Sequence, residues 1–457
     1  MAYTHTTFGD LKTALLSRLG DASAVFWTNS ATFSETNLYL FEALRTWGAL
    51  TGFWRDRATF ATVANQPFYD LTSALTPAHR AYTVKDQDLV AIMQYHLLEP
   101  LGVAAWVGTD MFVLADLTAA LQRRLNQFLS ETGVVLAEAT KVVSAGAGRV
   151  ALADNTIDVR RAMWKKPTGV RSIVWREDEF GLNAFKPDWN INAETPSVFS
   201  VLASPPVTLQ LGAPPSNNGT LEMLVVQAGA TLDPTVGVLL GIPDDLSWVI
   251  KWGALADLLG REGQSREPSR AEYCEQRWRQ GVEIARLYTS AVQVEIQGVA
   301  AHLDSLHDLD TTDPVWQSTF GIPGIVAMAG MNLVGLSPVP DASGPYSVTV
   351  DVVRNAPIPA TGGTQVELGR EELDVILDYA VHLAAFKQGG AEFAATIPHY
   401  DRMFRQAMIY NDKLRAVSSY LQVESDRAVR ETRHRLRRES DAFLDPTLVG
   451  QGEGGQT

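Results

Sequence analysis

The chain has one cysteine, Cys274, among its 457 residues. No intrachain disulfide can form. A single thiol also supports neither a paired-cysteine metal site nor a redox pair, so the composition suits a reducing interior. No apolar run approaches the roughly 18 residues of a membrane span. The opening Met1-Ala2-Tyr3-Thr4-His5 lacks the basic segment and apolar core of a signal peptide, so synthesis in the cytoplasm is expected. Basic charge is in deficit, with 38 Lys and Arg against 52 Asp and Glu, a net charge of −14. That balance excludes a chain that grips DNA by neutralising phosphates over its whole surface, though not one past which DNA moves. Catalytic signatures are missing as well. There is no Gly-x-Ser-x-Gly elbow, no His-Glu-x-x-His helix and no phosphate-binding loop. Ala145-Gly146-Ala147-Gly148-Arg149 has the glycines of such a loop but not its Lys-Ser/Thr ending, and reads as a hairpin turn.

What is present is ordinary globular composition, 46% apolar and 20% charged, which is rich enough to build cores. Its length suits several domains or repeats. Phe8, Leu11, Leu15, Leu16 and Leu19 recur at helical spacing, and Gly20 ends the run. A second helix is expected from Ser34 through Leu38, Phe41, Leu44 and Trp47. Thr59 to Val63 and Phe68 to Leu71 read as two strands around a turn. Asp86 to Leu98 reads as a helix. Phe112, Leu117, Leu121, Leu125 and Phe128 make one stripe of a long amphipathic helix over 110–129. Val142-Val143 and Val150 to Leu152 read as a hairpin.

An internal repeat organises the rest. A shift of 127 residues (316 − 189) places Trp189 on Trp316. The same shift places Pro196 on Pro323, Leu246 on Leu373, Trp252 on Tyr379 and Tyr273 on Tyr400. A two-residue slip between these anchors brings Leu211, Pro215 and Gly219 opposite Leu336, Pro340 and Gly344. Each copy runs through a tryptophan loop, a Pro-bearing segment, a Pro/Gly turn, an alternating strand and two helices. The first of those helices opens on paired acids, Asp244-Asp245 and Glu371-Glu372, which favour the positive end of the helix dipole. The fold class is therefore α+β: helical bundle elements with β-rich insertions and a tandem duplicated α+β unit. The expected divisions are an N-terminal helical segment with a short β-hairpin (1–105), a long helix with a β-hairpin (106–168), copy A (169–297), copy B (298–424), and an Arg-rich helix with a flexible tail (425–457).

Each cluster with possible chemistry has a plainer reading. His302, Asp304, His307, Asp308 and Asp310 have the residue types and spacing of a divalent metal site. Copy A has no histidine in the corresponding stretch, and 308–314 is good loop sequence. His382 and His399 lie near Asp378 and Glu392, but His382 aligns with Leu255 and so reads as a packing position. Cys274 reads as a buried inert thiol. Eleven tryptophans raise glycan stacking as a second function class. Most of them adjoin apolar runs, where burial is commoner. No catalytic, cofactor or metal residue is assigned. The basic stretch Ser425–Arg438, with Arg427, Arg430, Arg433, Arg435, Arg437 and Arg438 and interleaved glutamates, reads as an exposed docking helix.

A resemblance rests on particular residues. These are Thr7-Phe8-Gly9-Asp10-Leu11 through Arg18-Leu19-Gly20-Asp21, Phe26-Trp27-Thr28, Asn37 to Arg45, Thr51-Gly52-Phe53-Trp54 and Phe68-Tyr69-Asp70-Leu71. Together with Ile242-Pro243-Asp244-Asp245-Leu246 leading into a helix, they resemble head-to-tail connector (adaptor) proteins of tailed bacteriophages. The resemblance implies a non-enzymatic virion protein made in the host cytoplasm and located in the neck or tail. It implies a homo-oligomeric ring, commonly twelvefold, between the portal protein and a tail or nozzle protein, with DNA passing through and not held. By the same resemblance Arg427, Arg430, Arg433, Arg437 and Arg438 would dock on the portal. The alternative is a phage tail protein with a glycan-binding or hydrolytic role.

Overall fold

The computed structural model describes residues 6–27, 34–75, 81–98, 111–185, 188–189, 191–202, 206–263, 266–287, 291–359 and 361–421. Helix α1 (Phe8–Arg18) begins on a capping box, in which Thr7 and Asp10 satisfy each other's backbone N–H groups. Helix α2 (Glu35–Thr51) stops at Gly52, whose φ of 55° suits a residue without Cβ. Strands β1 (Arg55–Ala61) and β2 (Phe68–Asp70) and the short α3 (Leu71–Ala74) follow.

The chain then makes a second pass through the same kinds of element. Helix α4 (Asp86–Leu97) leads to α5 (Leu114–Thr132), which also ends on a left-handed glycine, Gly133. Next come β3 (Ala137–Val143), β4 (Arg149–Ala151), β5 (Thr156–Lys165), β6 (Arg171–Arg176) and α6 (Glu179–Phe185). Strands β7 (Val198–Leu202), β8 (Thr208–Leu211) and β9 (Gly219–Gln227) precede α7 (Ser247–Gly260) and α8 (Pro268–Leu287). The third stretch holds β10 (Ala291–Ile296), β11 (Val299–Ala300), β12 (His302–Ser305) and α9 (Leu306–Thr312). It continues with β13 (Phe320–Gly321), β14 (Ile325–Ala329), β15 (Leu333–Ser337), β16 (Val339–Pro340) and β17 (Ser347–Val353). Helices α10 (Arg370–Ala385), α11 (Gly390–Ala395) and α12 (Ile397–Leu421) close it. The chain divides into two compact units, Met1–Met403, which holds every strand named above, and Phe404–Thr457.

Sheet topology shows how the two copies are related. Residues 137–227 form one sheet in the order β3-β9-β5-β6-β7-β8-β4. The other strands run β1-β17-β10-β11 and β12-β14-β15-β2, with β13 paired to β16 apart from them. Since β11 and β12 are separated by Ala301 alone, the second order repeats the first with β11/β12 in the place of β6. Edge registers agree too. Ala137–Val143 lies along Val225–Gly219, and Arg55–Ala61 along Val353–Ser347, seven pairs in each. Each of the two strand orders has one parallel step at the same point, β6 with β7 and β12 with β14. Even the bridges that tie a helix start to the segment before the last helix pair recur, as Thr7 with Gln365 and Lys85 with Leu239.

The mixed α+β fold expected from sequence is present, but its two copies are nested and not tandem, and they take in the strands of 55–70 and 137–151 that the sequence set apart from copy A (169–297) and copy B (298–424). One module is continuous (84–287). It is inserted into the other, which is split between 6–75 and 291–403. This arrangement corrects two pairings. β1 and β2 form no hairpin with each other, because β17 and β15 take their edges, and β3 and β4 pair with β9 and β8. Alternation and turn residues specify strands but not their partners, and here the partners arrive from far along the chain.

Each sheet buries its own apolar face. The inserted module packs Trp164, Phe199, Leu209, Leu211, Leu221 and Val225 together. The split module does the same with Phe60, Tyr69, Val294, Val334, Val348 and Val350. Full burial of side chains of this size contributes about 1.5–3 kcal/mol each. The tryptophans paired by the repeat are equivalent in detail. Trp189 Nε1 donates to Asn183 Oδ1 at 3.0 Å, and Trp316 Nε1 to Asp310 Oδ1 at 2.8 Å. In both modules the acceptor lies six residues earlier, on the short helix between the two strands of the parallel step.

Candidate assembly interface

Buried charged and polar side chains lie where the two modules meet. On the helical side, α2 of the split module faces α7 of the inserted one. Glu42 on α2 is 3% exposed and Lys251 on α7 is fully buried, and their charged ends pair. The other Glu42 oxygen accepts from Trp252 Nε1 at 2.9 Å, and Lys251 Nζ lies 3.3 Å from His96 Nε2 and over the Trp252 ring. Burial lowers the Lys251 pKa, with Glu42 pulling the other way. The buried His96 ring is held well below its ordinary value by burial first and by Lys251 and Arg270 next. Charges this deep persist only when paired, so the cluster fixes the seating of the two modules.

Next to it lies an aromatic cluster. Tyr273 of α8 meets His382 of α10, Phe386, Phe393 and Tyr400, and its hydroxyl lies 2.6 Å from His382 Nε2. Arg277 of α8 reaches the Tyr379 hydroxyl and stacks over Trp248. On the sheet side, Arg161 of β5 makes two 2.6 Å bonds to Asp310, the same carboxylate that accepts from Trp316. Arg171, which opens β6, donates its backbone N–H to Ser318 Oγ at 2.9 Å and its side chain to the Gln317 carbonyl. Asn332 bonds both backbone groups of Leu136 at 2.9 Å.

The residues singled out from sequence fall mainly into packing and structural roles. Asp310 is occupied by Arg161 and Trp316, His307 packs edge-on to Trp175, and His302 lies 3.9 Å from Asp304. Among the described residues no group of three or more His, Cys, Asp or Glu could hold a metal ion. His382 is buried, and burial pushes its pKa down to about 3, so the ring is neutral; its Nδ1 lies 2.8 Å from Thr396 Oγ1. His399 lies 3.7 Å from Asp378, which also takes Arg18 and Arg402. The Cys274 thiol is buried, and burial pushes its pKa far up. Trp27, Trp47, Trp54, Trp164, Trp189, Trp248, Trp252, Trp278 and Trp316 are buried, which leaves them no face for stacking sugars. The five docking arginines Arg427, Arg430, Arg433, Arg437 and Arg438 lie outside the described residues.

Sequence reading missed the Glu42–Lys251 and Arg161–Asp310 pairs. A signal existed for the first. Lys251 is the one cation in the apolar run Leu246–Leu259, and Glu42 interrupts the apolar run Leu38–Leu44. Two opposite charges on the buried faces of two helices call for each other.

A search of curated proteins finds no match to this chain. A family model does match, and it falls on the inserted module almost end to end. No helix among the described residues is long and apolar enough to cross a membrane. Over residues 96–297 the chain matches the SU10 adaptor protein family, a phage head-to-tail adaptor family, as the resemblance in its sequence implied.

Proposed function

We propose that this protein is a non-enzymatic structural component of a phage virion that closes into a ring joining the capsid portal to the tail. One observation carries the reading: the segment that matches the adaptor family is a complete module, and a second module with the same strand order is built around it. A head-to-tail adaptor role for the matched module extends to its structural duplicate. The buried pairs between the modules suit a part that must hold its geometry under load. The acidic balance of the chain suits a channel wall that DNA passes without sticking, since phosphates are repelled. The Arg-rich segment with Arg427, Arg430, Arg433, Arg437 and Arg438 docks on the portal, and a tail or nozzle protein takes the opposite side. Mass photometry and negative-stain imaging of the purified chain, alone and mixed with portal rings, test this. Rings, or a monomer that becomes a ring on the portal, support it. A monomer that ignores the portal sinks it.

A further inference from the structure

The contact between the two modules is one-sided. The inserted module offers the end of its β5–β6 hairpin, and the split module offers the loop after its short helix α9. Arg171 and Ser318 meet there. Because the modules are equivalent, each also carries the surface that the other one uses. The inserted module has its own loop after a short helix, and the split module its own hairpin end. If the contact were reciprocal, those two surfaces would also meet within the chain. They do not.

The two modules correspond at these surfaces at the repeat tryptophans and at the last paired residues of each hairpin, whose connections differ in length, 166–170 against 297–298. Ser318 lies two residues after Trp316, and Ile191 two after Trp189, each tryptophan bonded to the acceptor six positions back. Arg171 pairs across its hairpin with Lys165, and Val299 pairs across its hairpin with Ile296. Lys165 lies opposite Thr220 on β9 and Ile296 opposite Val348 on β17, five residues from the equivalent ends Val225 and Val353. So Ile191 stands where Ser318 stands, and Val299 where Arg171 stands. The Arg171 side chain is only 14% exposed. Ile191 is 74% exposed and Val299 70% exposed. The polar pair that is covered inside the chain has an apolar pair as its uncovered counterpart.

We infer that copies of this chain join head to tail by repeating the internal contact, with Ile191 of one copy seated against Val299 of the next. This deepens the ring reading above and rests on it. A one-sided contact that repeats between identical chains generates rings or open filaments, never a closed pair. Two β-branched side chains that leave water together give the added contact its driving force. The helical layer is consistent with the same continuation. With Gly133 placed on Gly52, Arg123 takes the position of Glu42, and the 127-residue shift gives Asp378 the position of Lys251, so the opposite signs are kept with their places exchanged. Asp378 already holds Arg18 and Arg402, so the apolar pair carries the inference.

The test uses the full chain with both positions replaced, Ile191→Cys and Val299→Cys. The native Cys274 is buried and stays out of the reaction. At the internal contact the Arg171 N–H touches Ser318 Oγ, which puts the two Cα atoms within the roughly 7 Å that a disulfide spans. Under the conditions in which the unmodified chain forms rings, mild oxidation should give a ladder of covalent oligomers on a non-reducing gel, absent from either single variant. Separately, Ile191→Asp and Val299→Asp should each raise the concentration at which rings half-assemble by tenfold or more. Rings that form without a ladder, and that tolerate both aspartates, overturn this inference and leave the ring reading standing. No rings from the unmodified chain, alone or with the portal, overturn both.

Discussion

The Glu42–Lys251 pair gives the sharpest quantitative test of how the modules are held. Glu42→Ala leaves the buried Lys251 ammonium without its carboxylate, and the Trp252 indole N–H loses its acceptor. Removing one partner of a buried pair costs about 3–5 kcal/mol. Burial already lowers the Lys251 pKa, and Glu42 opposes that shift, so without Glu42 the amine gives up its proton more readily in the folded state. Between the lowered folded value and the ordinary 10.5, the unfolded chain then binds a proton that the folded chain does not. The variant should therefore lose further stability as pH falls, until both states carry the proton. Lys251→Met in the Glu42→Leu background replaces both charges with apolar groups of similar size, and should recover most of the loss or all of it. Urea unfolding followed by tryptophan fluorescence measures Glu42→Ala and the four chains of the cycle: unmodified, Glu42→Leu, Lys251→Met and the double variant. A coupling above about 2 kcal/mol is expected, in the range of contacting residues. If Glu42→Ala costs under about 1 kcal/mol at neutral pH, the pair does not hold the modules and the account of the interface fails.

His382 makes a second pH-dependent contribution. Its pKa is held near 3 in the folded chain against an ordinary 6.5, so its neutral form is favoured above pH 6.5 and stability is lost as pH falls from 6.5 toward 3. The slope is about 1.4 kcal/mol per pH unit for one such group, and His382→Leu, which copies Leu255 of the other module, should flatten the fall in urea midpoint between pH 6.5 and 4. Asp310→Ala strands both Arg161 and the Trp316 indole and should cost about 3 kcal/mol, against about 1 kcal/mol for Asn183→Ala at the equivalent place, where one neutral hydrogen bond is lost. Truncation after Gln422 should weaken binding to portal rings; equal affinity with and without the tail would remove the docking role of its arginines. With two modules in each chain, a ring of twelve modules weighs as much as six chains and a ring of twelve chains twice that, so the mass of the assembly separates the two.

How much of the fold was legible beforehand depends on the range of the contact. Helix α5 follows from its stripe of Leu117, Leu121, Leu125 and Phe128, and those four residues are on its buried face. The Trp189–Trp316 correspondence also holds at the level of atoms, because a buried indole needs an acceptor and both modules supply one at the same spacing. Strand pairing was not legible. Thr59–Val63, which overlaps the end of β1, reads as half of a hairpin because a turn and a second strand come directly after it. Its real partner, β17, begins at Ser347, after the whole inserted module has been made. The interface charges were hidden for a related reason. Arg161 and Asp310 are 149 residues apart, and in a linear reading Arg161 is one of two adjacent arginines in an exposed-looking strand. Nesting also changes what the duplication does. Two modules joined end to end by one linker could drift apart, whereas here two chain crossings, before α4 and after α8, tie the inserted module to both halves of the other. The contact between modules is thereby held by connectivity and by the Glu42–Lys251 and Arg161–Asp310 pairs together. That leaves the surfaces carrying Ile191 and Val299 as the uncovered halves of a contact the chain already makes once.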